Sequence, residues 1–160
     1  MKKLWIATLL LGVGLWLIYP SSDPDIPQLE QKYAEKAFIF HEISRLGCEI
    51  WRTTNIRWQH FKKGESSEYS LLLYKELEPL LEEVGSDSIV IEGDTKCSLY
   101  LPVWGCGFAG DSNEMGFIFQ PEQIFPFNPA IHLKENRDMK TDIRFTKALA
   151  NGWFIDYKFD

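Results

Sequence analysis

Three cysteines, three histidines, one glycine-rich hexapeptide and scattered carboxylates are the residues of this chain able to do chemistry. Gly105-Cys106-Gly107-Phe108-Ala109-Gly110 fits the G-x-G-x-x-G spacing that lets backbone approach a pyrophosphate. A dinucleotide site also needs a helix directly afterwards, with its N-terminus aimed at the phosphates. Here Asp111-Ser112-Asn113-Glu114 follow, then the strand-like run Phe117-Ile118-Phe119. Two carboxylates at that place repel phosphate, so the hexapeptide reads as a connection between strands and no cofactor is expected.

The cysteines are Cys48, Cys97 and Cys106. Cys97 and Cys106 are the nearest pair, and a disulfide between them would close a loop of about ten residues, worth roughly 2.5 kcal/mol in the chain-entropy model. Cys48 would then be left over beside Leu46 and Ile50, although sequence leaves open its pairing with either of the others. The sharper alternative is a nucleophile built from Cys106 and His132. An exported free thiol oxidises readily, which favours the disulfide. His41, His60 and His132 fall at no metal-ligand spacing, neither H-E-x-x-H nor C-x-x-C occurs, and no metal site is expected. No G-x-S-x-G is present either. Glu82, Glu83, Asp87, Glu92, Asp94, Asp111 and Glu114 offer carboxylates for a glycosidase-like pair, but spacing cannot place two of them across a cleft. No catalytic residue is assigned. Trp104, Phe108, Phe125 and Phe127 are candidates for an aromatic surface that would hold peptide or sugar. The competing reading, which we favour, is that the aromatics fill a core.

The elements that must position these residues follow from periodicity. Ile26, Leu29, Tyr33, Ala37, Phe40, Ile43 and Leu46 recur at three- and four-residue steps, with Asp25 as cap and Pro27 in the first turn. Gly47 could end this helix, yet Ile50, Trp51 and Thr54 continue the stripe. Ile56 to Phe61 alternates weakly as a strand. A second helix, capped by Ser66 or Ser67, carries Leu77, Leu80, Leu81 and Val84 to a stop at Gly85, and Pro79 inside it predicts a kink or two abutting helices. From Ser88 the period becomes two. Ile89-Val90-Ile91, a turn at Gly93-Asp94 and Ser98 to Trp104 predict a hairpin. Gly116 to Phe119 predicts a third strand, and Pro121 to Pro129 an irregular loop. Asn151-Gly152 predicts a type I′ hairpin that sets Lys147 opposite Asp156 and Ala148 opposite Ile155. Helices first and antiparallel strands after give an α+β fold, with two amphipathic helices on a sheet of about 4–6 strands.

Ahead of this domain, Lys2 and Lys3 precede the uncharged run Leu4 to Tyr19. As a helix it spans about 24 Å, and interfacial Trp5, Trp16 and Tyr19 help it meet the ~30 Å hydrocarbon thickness. We read residues 1–20 as a retained membrane anchor, 21–25 as a linker and 26–160 as an exported domain. A signal peptide cleaved to leave a secreted or periplasmic protein is the alternative, disfavoured because Tyr19 and Pro20 stand where the peptidase prefers small residues. Both readings keep the lysines in the cytoplasm and export the rest. Lys2 and Lys3 are two of 17 basic residues, so the remainder sets 15 against 23 acidic ones, a net −8. That charge excludes a nucleic-acid partner. The bilayer, through Leu4 to Tyr19, and another exported protein are the partners expected.

The hydrophobic N-terminus, long helix and terminal antiparallel sheet with a disulfide are broadly similar to the build of pilin-like proteins. Lysines and Leu4 stand where the pilin processing motif has glycine, phenylalanine and glutamate, and Pro24 and Pro27 interrupt the helix that pilins keep continuous. The resemblance implies a surface-assembly subunit. The residues themselves point first to a tethered, non-catalytic binding or accessory protein, and second to a small exported hydrolase using carboxylates or Cys106 near Gly105 to Glu114.

Overall fold

The three- and four-residue apolar spacing after Pro24 becomes two abutting helices, α1 (Ile26–Glu35) and α2 (Ala37–Thr54), rather than one. The computed structural model describes residues 24–54, 57–64, 71–108, 111–136 and 143–159. The run Leu4 to Tyr19 lies outside them, and no helix among the described residues is long and apolar enough to cross a membrane. Asp25 takes the extended cap conformation without a side-chain cap bond, and Pro27 sits in the first turn. The break falls at Lys36, whose N–H still reaches the Lys32 and Tyr33 carbonyls. Gly47 does not end α2. A Cβ there would lie 2.9 Å from Leu99 Cδ1, so its role is close approach of helix to sheet.

A third helix, α3 (Leu71–Val84), runs through Pro79 as a single element. It closes on Gly85, which has φ +76°. The Gly85 N–H donates to Glu82 O and the Ser86 N–H to Leu81 O, the paired bonds of a Schellman stop. The strands are β1 (Trp58–Lys62), β2 (Ser88–Glu92), β3 (Ser98–Phe108), β4 (Asp111–Phe119), β5 (Arg144–Ala148) and β6 (Trp153–Phe159), with a four-residue helix, α4 (Pro129–His132), before β5. They form one antiparallel sheet in the order β1-β2-β3-β4-β6-β5. The fold is α+β, with six strands. β3 is longer than its apolar run predicts, because Gly105 to Phe108 pair with Asp111 to Glu114. The glycine-rich hexapeptide is thus mostly strand, and β4 follows where a dinucleotide site needs a helix.

Alternation along the strands sends Ile89, Ile91, Leu99, Leu101, Met115, Phe117, Trp153, Ile155 and Tyr157 toward the helices, where all are buried. Phe40 of α2 is the centre of this core. Its ring meets Phe117 at 4.6 Å, Tyr33 at 5.0 Å and Trp153 at 5.1 Å. The last hairpin has the positive φ values expected at Asn151 and Gly152, but its ladder is slipped by one residue. Trp153 N donates to Ala150 O across the turn while Leu149 N donates to Trp153 O, so Ala150 is an extra, bulged residue. Thr146 therefore faces Asp156 and Lys147 faces Ile155, not the pairs the two-residue loop predicts. The reason is Phe145. Only the slipped register puts it opposite Tyr157 on the core face, where the two rings stack at 5.3 Å.

The disulfide also differs from expectation. Cys97 is bonded to Cys48 of α2, 49 residues away, and not to Cys106. Cys97 immediately precedes β3, close to where Gly47 lets α2 approach Leu99. Cys106 lies on the same β3 strand as Cys97's neighbours, nine positions further along. An extended strand separates residues at about 3.3 Å each, far beyond disulfide reach.

Alkylation of the unreduced, denatured protein is expected to label Cys106 alone, and peptide mapping to recover a Cys48–Cys97 crosslink. The Cys48→Ala/Cys97→Ala variant should lose about 4 kcal/mol of stability in denaturant unfolding, the chain-entropy value for a loop of this length.

Candidate functional site

The sheet face turned away from the helices is where polar chemistry collects. Across it runs a row of His60, Val90, Tyr100, Ile118, Phe154 and Ala148. Pro102, Gly116, Asp156 and Thr146 form the next row, and Glu114, Lys158 and Arg144 the one beyond. At the other end Trp58, Glu92 and Ser98 lie side by side.

The proline-rich segment crosses this face. Gln120 N–H donates to Gly152 O, Lys96 Nζ to Pro121 O, and Phe125 and Thr146 exchange bonds through Phe125 N–H to Thr146 Oγ1 (2.9 Å) and Thr146 N–H to Phe125 O (2.7 Å). This crossing explains why Ser98, Ile118, Thr146 and Asp156 are buried although they point away from the helices.

Asp156 is the unusual group. It is 5% exposed, and its Oδ1 has no hydrogen-bond partner. Burial pushes its carboxyl up to about 6; Arg144 and Lys158 pull it down, while Glu114 and Glu92 push it up. Tyr100 lies close by, its ring over Gly116, where a Cβ would sit 2.8 Å from the ring and 2.3 Å from Leu101 O. Burial and the nearby Glu114 and Asp156 raise the Tyr100 phenol as well. The two acids share a patch that resists negative charge.

Among the described residues, grooves open at opposite ends of β2 and β3. The first, about 360 Å³, lies among Arg57, Trp58, Glu92, Ile118, Pro121, Glu122 and Arg144. Trp58 is 64% exposed there. Burial, then the nearby Glu122, raise the Glu92 carboxyl, with Arg144 opposing. Arg57 is held by its bond to Asp94 O (3.0 Å) and stacks 5.9 Å from the Trp51 ring, whose Nε1 donates to Gly93 O. The second groove, about 810 Å³, lies between the α3 stop and the end of β3, and includes Lys63, Glu82, Ser86, Asp87, Trp104 and Glu114. Trp104 reaches it through a bulge. The register jumps from Pro102 opposite Gly116 to Trp104 opposite Met115, so Val103 is extra and Trp104 turns toward the α3 side.

The four aromatics singled out by sequence do not form one platform. Trp104 is in the second groove. Phe125 lies beside β5 under the Arg144 guanidinium at 4.3 Å, with β4 and β6 between it and Trp104. Phe127 packs on Phe145 at 5.2 Å. The Phe108, Cys106 and Asp111 side chains lie outside the described residues. His132 is buried, its Nδ1 accepts from Asn128 N–H (2.8 Å), and its ring stacks on Phe145 at 4.8 Å, a structural role on the far side of β4 and β6 from Cys106. Sequence reasoning named Glu92 only as one of seven carboxylates and missed Asp156 as an unusual acid and Trp58 as an exposed ring. The alternation of β1, β2 and β6 puts them on a face that reads as solvated, and only the crossing segment changes that. Among the described residues, no group of three or more His, Cys, Asp or Glu could hold a metal ion.

Comparison with known proteins finds no matching family model, no matching curated sequence and no matching solved structure. Function has to be read from the chain's own geometry.

Asp156 makes a signed prediction. Below pH ~4 the carboxyl is protonated in folded and unfolded chains alike and contributes nothing. Between there and about 6 the unfolded chain releases its proton while the fold keeps it, so stability falls as pH rises. Asp156→Asn should therefore gain about 2–3 kcal/mol over the parent at pH 7.5 and nothing at pH 3.5, read by urea unfolding.

Proposed function

We propose that this chain is a membrane-tethered exported domain that binds another protein and does not itself catalyse a reaction. The observation that carries this reading is the groove beside Trp58. A large ring, 64% exposed, stands at the end of an edge strand next to charged side chains of both signs. What sets it apart from the other exposed rings and aliphatics, such as Phe38, is that it lines a concavity with charged groups at the rim, the composition of a docking site. The Cys48–Cys97 bridge supports export, since disulfides persist in oxidising compartments. The run Leu4 to Tyr19 supports the tether.

A hydrolase is the second reading, favoured by Asp156, whose proton is retained to about pH 6 near Glu114. Glu114, however, pairs with Lys158 at 3.6 Å on the neighbouring strand, which suits a surface ion pair better than a nucleophile.

A photocrosslinking residue in place of Trp58, tested in intact cells, is expected to yield an adduct with a different protein. Recovery of the uncrosslinked monomer alone would sink the binding reading, and a crosslink to a second copy would replace it with an assembly subunit. Trp58→Ala should abolish partner capture while shifting stability by less than about 0.5 kcal/mol, as for an exposed side chain.

A further inference from the structure

We infer that the groove beside Trp58 takes an extended segment of a partner polypeptide in which a lysine or arginine adjoins an apolar residue. This inference rests on the binding reading above and names its ligand.

The geometry supplies both halves of such a site. Trp58 and Ile118, with Pro121, give an apolar wall, and Glu92 and Glu122 give two carboxylates facing the same space. The Glu92 side chain is half-buried and, among the described residues, no hydrogen bond or ion pair holds it; burial and Glu122 oppose its ionised form, with Arg144 favouring it. A half-buried carboxylate left in this condition costs free energy that an incoming donor recovers.

The cations already present do not supply that donor. The Arg57 guanidinium is committed to Asp94 O and the Trp51 ring, and the Arg144 guanidinium lies over Phe125. A guest ammonium or guanidinium between Glu92 and Glu122 makes charge-assisted bonds there, and its stem or its neighbour covers Trp58. The acidic balance of the whole domain steers a basic segment toward it.

The test uses the full chain in neutral detergent and three fluorescein-labelled nonapeptides of equal leucine content, carrying lysine, glutamine or glutamate at the charged positions. The lysine peptide is expected to bind, and the other two at least tenfold more weakly. Glu92→Gln/Glu122→Gln should weaken the lysine peptide tenfold or more. Glu76→Gln/Glu83→Gln, which removes the same charge from exposed positions on α3, should leave its affinity unchanged. Equal losses in both double variants would show diffuse attraction and overturn the site, as would tighter binding of the glutamate peptide. In cells, a Trp58-position crosslink that survives Glu92→Gln/Glu122→Gln overturns the basic-segment inference alone. Absence of any crosslink overturns the binding reading beneath it.

Discussion

Side chains on a strand alternate, and in this sheet that two-residue repeat decides everything else. One phase is apolar and lies under α1 to α3, centred on Phe40 against Phe117 and Trp153. The other mixes polar and apolar side chains and is covered where the segment from Gln120 to Phe125 crosses it. A register slip of one residue exchanges the two faces. The protein uses this twice. The bulge at Ala150 returns Phe145 to the core and places Thr146 beside Asp156. The bulge at Val103 turns Trp104 from the outer face toward α3. Each bulge inserts a single residue, and each determines which groove or core a large ring belongs to.

The outer face carries groups that a stability-minded sheet would exclude. Ser98 with a bare Oγ and Tyr100 with a raised phenol are i, i+2 neighbours on β3, and Asp156 with a bare Oδ1 lies on β6, across β4 from Pro102. Buried polar groups of this kind cost stability unless they are paired, so the crossing segment covers them at a cost in free energy.

Much of this was legible from local chemistry. Gly85 as a helix stop, Asn151-Gly152 as a turn of positive φ and the change of period at Ser88 are decided by one or two residues each, so sequence reveals them. The cysteine pairing was not, because distance along the chain says nothing about a helix lying on a strand. Cys48 and Cys97 meet only because Gly47 lets α2 settle onto Leu99. The register of the last hairpin failed for a similar reason. The turn was right, but the long-range demand to bury Phe145 on Tyr157 outweighed the regular ladder that the turn alone prefers. Of the candidate site, Trp104 was singled out in advance and Glu92 was named among the candidate carboxylates, whereas Trp58 and Asp156 were not. Their environment comes from a loop of three prolines whose path no periodicity encodes.

The disulfide and the Trp58 groove are mechanically one structure. The β2–β3 turn forms a wall of that groove through Gly93 and Asp94. It is held from four sides: by the Cys48–Cys97 bond, by Trp51 Nε1 on Gly93 O, by Arg57 NH1 on Asp94 O and by Lys96 Nζ on Pro121 O. Three of these anchors lead back to α2 or the edge strand, and the fourth ties the turn to the crossing segment. Binding to a groove with a fixed wall avoids the ordering cost that a free turn would impose, which for loops and long side chains is about 0.5–1.5 kcal/mol per immobilised group. A crosslink placed at the root of this turn therefore stabilises the fold through the unfolded chain and, on the binding role proposed above, preorganises the groove through the folded one. Those two effects separate by experiment in principle, because the first depends on loop length and the second on where the bridge enters the sheet.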